Sequence, residues 1–265
     1  MPPMTIPLAV DAIALLMAVA FVAGAIDAMA GGGGLLTIPA LLAAGIPPVS
    51  AIATNKVQSS FGTASAVVAF ARAGRIDLRR FARPTLAALV GSAIGAWVLT
   101  RVDPSFLEGL IPLLLIAMAA YFLFAPKAGD EDRHARFGPT AMLLVIGAIG
   151  AYDGFFGPGT GSFLTLALVA LFGLGIVSAT AHAKLFNLAS NLAAVAVLVA
   201  GGHVLWLAAL AMAVASIVGA QVGARLALRH GGRAVRPLLV VMSLALTARL
   251  LADPANPLRV AFSAG

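Results

Sequence analysis

An all-α, polytopic transmembrane helical bundle of two inverted repeats, each with a glycine-broken helix, is the fold class this sequence predicts. Three observations predict it. First, 61% of the 265 residues are hydrophobic and only 10% are charged, against about 25% charged in a soluble domain. Mean hydropathy is +1.03. A soluble globule of this length could not cover its surface with so few charges, and a disordered chain would be poorer in apolar residues. Second, the apolar residues fall into ten segments, roughly 8–30, 34–46, 48–71, 84–100, 106–125, 139–157, 160–175, 178–200, 204–224 and 235–252. Third, the chain repeats itself. Lys56 falls on Lys184 at an offset of 128. Thr37 then meets Thr165, Gly45 meets Gly173, and Gly91 and Gly95 meet Gly219 and Gly223. Two residues of slippage in the glycine loops bring Asp27 onto Asp153. Residues 8–125 form one repeat and 139–252 the other, within one integral-membrane domain.

The first segment, 8–30, reads as a retained span, because the first 55 residues hold no Lys or Arg and a signal peptide carries a basic start. Segments 34–46 and 160–175 are short against the roughly 20 residues that cross a bilayer. Each follows a break: Gly31-Gly32-Gly33-Gly34 in one half, Gly157-Pro158-Gly159-Thr160-Gly161 in the other. Both a full span and a re-entrant turn are open for them. A break inside a membrane survives where protein or a water-filled cavity satisfies the freed backbone groups. Segments 48–71 and 178–200 carry the lysines. In 84–100 and 204–224 the pairs Gly91/Gly95 and Gly219/Gly223 read as close-packing motifs.

Loop charges orient the halves. Arg72, Arg75, Arg79, Arg80 and Arg83 place the loop 72–83 in the cytoplasm, with Lys127, Arg133 and Arg136 in the loop 126–138 and Arg225, Arg229, Arg233 and Arg236 in the loop 225–236. The connection near 200–204 has no Lys or Arg and is expected outside. Counterpart loops therefore lie on opposite sides, which inverts one repeat relative to the other. Inverted repeats with broken helices characterise secondary transporters that bind substrate near the midplane.

The chemistry concentrates at Lys56 and Lys184, two of only three lysines. A cation at the bilayer centre costs roughly 2.5–3.5 kcal/mol on insertion scales. Anion binding is the favoured reading; a structural ion pair with Asp27 or Asp153 is the alternative, tested by pairing Lys56 with Asp27 and Lys184 with Asp153. Thr54, Asn55, Gln58, Asn187 and Asn191 supply hydroxyls and amides beside the lysines, enough to ligate a small oxyanion without a metal. Backbone N–H groups around Gly33, Gly34, Gly159 and Gly161, at the starts of two half-helices, would complete the cage. Asp27, Asp153 and His182 are candidates for ion pairing, capping or carrying a coupling proton. Ser162 or Ser190 with His182 could be imagined as a hydrolase, but nothing in the spacing supplies an orienting acid. No cysteine is present, the four histidines lack ligand spacing, and neither a cofactor nor a metal is expected. The net charge of +7 sits in loop clusters, so nucleic acid is not an expected partner. The expected partners are a small anionic substrate and the lipid bilayer, with a homodimer as a possible assembly.

The run from Ala23 through Asp27 and the four glycines to Pro39, followed by Thr54-Asn55-Lys56, resembles the sulfite exporter TauE/SafE family, also called the toluene sulfonate uptake permease family. So does the run Gly154 to Phe163 followed by Lys184-Leu185-Phe186-Asn187. The resemblance extends over nearly the whole chain. It implies a bacterial-type cytoplasmic-membrane permease for sulfur-containing anions such as sulfite, sulfoacetate or other organosulfonates, several members being exporters. On this reading the protein moves small anions by alternating access and is not an enzyme. A passive anion channel of the same architecture is the alternative.

Overall fold

The computed structural model describes residues 9–103, 106–107, 110 and 135–230. Among them every regular element is helical: α1 (Val10–Ala30), α2 (Gly34–Ala43), α3 (Pro48–Arg72), α4 (Leu78–Leu99), α5 (Pro139–Phe155), α6 (Thr160–Ala170), α7 (Ile176–Ala200) and α8 (Trp206–His230). The protein is an all-α, multi-pass membrane protein. Four helices, α1, α4, α7 and α8, are long and apolar enough to cross a bilayer. The segment 235–252 lies outside the described residues, as does 106–125 apart from Phe106, Leu107 and Leu110.

Helix boundaries follow local chemistry. α3 and α5 start on Pro48 and Pro139, where a missing N–H is no loss. α4 starts six residues before the apolar segment expected there, because Asp77 accepts from Arg80 N at 3.0 Å and caps it. α8 likewise runs six residues past its apolar segment, through Arg225 and Arg229. The arginines expected in loops at 78–83 and 225–229 therefore stand on helix ends, which long side chains tolerate by reaching toward water. α3 and α7 both close with a left-handed glycine, Gly74 (φ 67°) and Gly202 (φ 72°). In each, the next N–H bonds back to a carbonyl five residues earlier, Arg75 to Phe70 and His203 to Leu198.

The bundle is arranged inside out. Leu86, Ile94, Leu207 and Val214 are exposed, while Thr37, Lys56, Asp153, Lys184 and Ser190 are buried. In water that order would be ruinous; in lipid it is the only economical one. α1 packs along α8 and α4 along α5, and α3 and α7 cross between these pairs. The close approach comes from glycine. A Cβ on Gly91 or Gly95 would run into the α5 backbone at Gly147 and Ala151, and one on Gly219 or Gly223 into the α1 backbone at Phe21 and Ala25. The expected packing role of both GxxxG pairs is what the structure places there.

α2 and α6 have 10 and 11 residues, about 15 Å at 1.5 Å per residue. That is half the roughly 30 Å hydrocarbon thickness. Neither half-helix spans on its own, and both begin at a glycine break in the interior.

Candidate functional site

The two breaks meet. Gly31 (φ 74°), Gly32 (φ 124°), Gly157 (φ 97°) and Gly159 (φ 83°) all take backbone angles that an L side chain resists. Ser162, in the first turn of α6, donates to the carbonyls of Ala30 at 2.5 Å and Gly31 at 2.7 Å. It thereby satisfies groups freed at the end of α1. A Cβ on Gly161 would lie 2.8 Å from Gly31 Cα, and one on Gly34 would lie 3.3 Å from Pro158 Cα. At Gly161 only glycine lets the backbones touch; at Gly34 a side chain would need Pro158 to give by a few tenths of an ångström.

The lysines lie against this junction. Lys56, 1% exposed, pairs with Asp153 at 2.7 Å. Lys184, 0% exposed, pairs with Asp27 at 2.8 Å. The pairing anticipated from sequence, Lys56 with Asp27 and Lys184 with Asp153, is corrected: each lysine reaches the aspartate of the other half. The reason is packing. α7 brings Lys184 to Asp27 near the end of α1, and α3 brings Lys56 to Asp153 near the end of α5. A buried charge pair needs further hydrogen bonds to offset its desolvation, and these are present. Lys56 Nζ donates to Asn191 Oδ1 at 3.1 Å. Asp153 accepts from Asn187 Nδ2 at 3.3 Å and from the Ser190 hydroxyl. Asp27 Oδ1 accepts from the N–H groups of Gly32 and Gly33, at 3.0 and 3.2 Å. A side chain on Gly157 would begin 2.7 Å from Lys56 Nζ, and one on Gly161 2.9 Å from Lys184 Nζ. The bare glycine backbone thus forms the wall facing both ammonium groups.

Between them is a small polar cavity lined by Asp27, Gly34, Asn55, Lys56, Asp153, Gly159, Gly161, Asn187 and Asn191, among others. Nine sequence-predicted site residues converge there, and Lys184 stands behind Gly161. Its volume is about 20 Å³, room for about one water.

Other expected residues go elsewhere. Gln58 lines a second cavity, on the far side of Asp27, with Gly33. It still touches the first through Asn55, whose Oδ1 accepts from Gln58 Nε2 at 3.0 Å and from Thr37 Oγ1 at 2.5 Å. Thr54 Oγ1 accepts from Leu205 N at 3.1 Å, so it fixes the entry to α8 and is not in the central cavity. His182 is also not brought to the lysines. Its Nε2 accepts from Asp77 N at 3.0 Å, its Nδ1 lies 2.8 Å from Ser178 O, and its ring stacks on Phe81 with centroids 4.0 Å apart. Neither Ser162 nor Ser190 is among the hydrogen-bond partners of His182, so the hydrolase constellation does not assemble. Gly33 is helical (φ −53°); its need for glycine is space, since a Cβ there would lie 2.7 Å from Ala23 O.

From sequence, Ser162 and Ser190 enter only as nucleophiles, Gly157 and Thr160 only as parts of the break and Thr37 only as a repeat match, and none of them is assigned to the anion site. Thr37 and Thr165 did match across the repeat. Each bonds the carbonyl four residues back, Gly33 and Gly161, tightening the first turn of its half-helix. Among the described residues no group of His, Asp or Glu could hold a metal ion.

Comparison with known proteins gives consistent matches. The family model described as "Sulfite exporter TauE/SafE" matches residues 16–250. A "Probable membrane transporter protein ORF9" from Sinorhizobium sp. is 46% identical over 96% of this chain and 97% of its own. A "Probable membrane transporter protein" from Haemophilus influenzae is 44% identical over 92% of this chain and 96% of its own. The "Probable membrane transporter protein YfcA" of Escherichia coli K12 is 44% identical over 90% of this chain and 89% of its own. No solved structure matches the chain.

Proposed function

The chain belongs to the sulfite exporter TauE/SafE family of membrane transporters, and from that premise we propose that it moves small sulfur-containing anions, such as sulfite or organosulfonates, outward by alternating access. The observation that carries the reading is the crossed pair of ion pairs, each on a fully buried lysine, at the junction of two glycine breaks. An ammonium 4 Å from an anion gains about 4 kcal/mol at an effective dielectric of 20. Two such groups, the three carboxamides of Asn55, Asn187 and Asn191 and bare backbone N–H groups suit an oxyanion. The cavity as it stands holds about one water, so an anion enters only as a Lys–Asp pair parts. Substrate and aspartate then compete for the same ammonium, a competition that lets the site release what it binds.

The repeat supports a moving scaffold. α1 with α8 and α4 with α5 are glycine-welded pairs, each joining a helix of one half to a helix of the other. Rocking these two units about the crossed α3 and α7 would open the junction to one side at a time. A passive channel of the same lining needs a continuous pore, which a cavity of about 20 Å³ does not favour. The test is a binding screen of the purified protein against sulfite, sulfoacetate, sulfate, taurine and carboxylate analogues. Saturable binding confined to sulfur oxyanions supports the assignment. Equal, non-saturating responses to all of them would sink it.

A further inference from the structure

The second cavity lies between α1, α3 and α8. Its volume is about 10 Å³, and Asp27, Gln58, Thr63 and Ser216 line it. Among the described residues two of its groups find no partner, Gln58 Oε1 and Thr63 Oγ1, on side chains that are each 2% exposed. A buried polar atom left without a hydrogen bond carries a desolvation penalty, so two beside one carboxylate call for an occupant. Gln58 Nε2 is already spent on Asn55 Oδ1 and Ser59 Oγ, each at 3.0 Å. What remains aimed at the space is oxygen.

The other half explains why this space exists. At the offset of 128, Gly62 corresponds to Ser190 and Ser59 to Asn187. In the second half the Ser190 hydroxyl and the Asn187 amide donate straight to Asp153. In the first half the hydroxyl is missing, because Gly62 stands there. Among the described residues, Lys184 is the side-chain donor to Asp27. Asp153 takes its donors from side chains; Asp27 takes two of its three from the glycine backbone, and Ser216 Oγ stands close to where a Gly62 side chain would begin.

We propose that this cavity, walled by the Asp27 carboxylate, Gln58 Oε1, Thr63 Oγ1 and Ser216, is a binding site for a sodium-sized monovalent cation. Hard cations take oxygen ligands of this kind. The cavity is at the lower size limit for a water molecule, which suits a bare small ion. It lies beside the last turns of α1, where the helix dipole favours positive charge. Its role as the coupling-ion site rests on the transport reading. A cation at Asp27 and an anion at Lys184 load as a neutral pair, each raising the affinity for the other.

The test uses purified protein with no anionic substrate present. Radioactive sodium binding and the thermal midpoint are followed in sodium, potassium and choline chloride at matched chloride. Saturable sodium binding with a sodium-specific rise in midpoint is expected. Thr63→Val and Gln58→Leu should weaken it at least tenfold, while Thr63→Ser keeps it. Thr180→Val, which removes an unpartnered hydroxyl outside this cavity, reports on general destabilisation and should leave sodium affinity unchanged. Identical midpoints in all three salts, or wild-type sodium affinity in both weakening variants, would overturn the site and leave the cavity to a water. Sulfite binding measured in choline salt reads the lysine site separately, so either reading can fail alone.

Discussion

Lys56 and Lys184 each hold a carboxylate from the opposite half, so removing one partner strands a buried charge. Breaking such a pair typically costs 3–5 kcal/mol. Lys56→Met and Lys184→Met should therefore lower both stability and substrate affinity, the latter at least tenfold, about 1.4 kcal/mol. Lys56→Met/Asp153→Asn and Lys184→Met/Asp27→Asn, which match the observed pairs, should recover folding but not transport. Thermal midpoints and flux in reconstituted vesicles would check this; full transport in the doubles would make the pairs purely structural. A second prediction concerns the glycine wall. Gly157→Ala puts a methyl 2.7 Å from Lys56 Nζ on a backbone with φ 97°. It should abolish transport, as should Gly159→Val, with the protein still inserted; wild-type flux in both would reduce the breaks to linkers. The lysines were legible in the sequence because an intramembrane cation is costly and there were two at one offset. Their partners were not, because each lysine passes over the aspartate of its own half for the one far away in sequence, and only helix packing decides which lysine meets which. The bond from Ser190 to Asp153 was not legible for a plainer reason. A hydroxyl in a membrane helix satisfies its own backbone as readily as it serves a site.

Among elements, the clearest departure from sequence expectation is at α4 and α8, whose charged turns extend the helices beyond their apolar segments. Hydropathy ends where arginine begins; the helix does not, since Asp77 caps one end and Arg229 and His230 suit the other. The half-helices were legible as short because glycine and proline punctuate so strongly. That α2 and α6 meet at their starts was not, because it depends on contacts more than a hundred residues apart in sequence. Two predictions belong here. From arginine asymmetry, cysteines replacing Arg75 and His230 should label from the cytoplasm and one replacing His203 from outside. External labelling at both 75 and 203 would undo the inverted arrangement. Gly95→Leu and Gly223→Leu should each push a helix pair apart and destabilise by about 1–3 kcal/mol, read as a fall in the thermal midpoint in detergent.

In the whole molecule, the two halves are held by crossed ion pairs and by two glycine-welded helix pairs, and they touch at the breaks. If opening of that junction is the transport movement, tying it shut should stop flux. Gly34→Cys/Pro158→Cys joins the two breaks where a Cβ on Gly34 already lies 3.3 Å from Pro158 Cα, within reach of a disulfide. Oxidation should abolish transport and reductant restore it; undiminished flux in the oxidised protein would place the movement elsewhere. The crossed pairing also bears on how the molecule is made. A ribosome delivers α1 to α4 to the bilayer first, and this half arrives with Asp27 and Lys56 but without Lys184 or Asp153. Until α5 to α7 emerge, neither of those two charges has its mature partner. Completing the protein thus supplies both partners inside the membrane, and a chain halted before α7 leaves Asp27 without its mature counter-charge. Such a stalled half presents the kind of intramembrane charge mismatch by which an unassembled membrane segment can be told from a finished one.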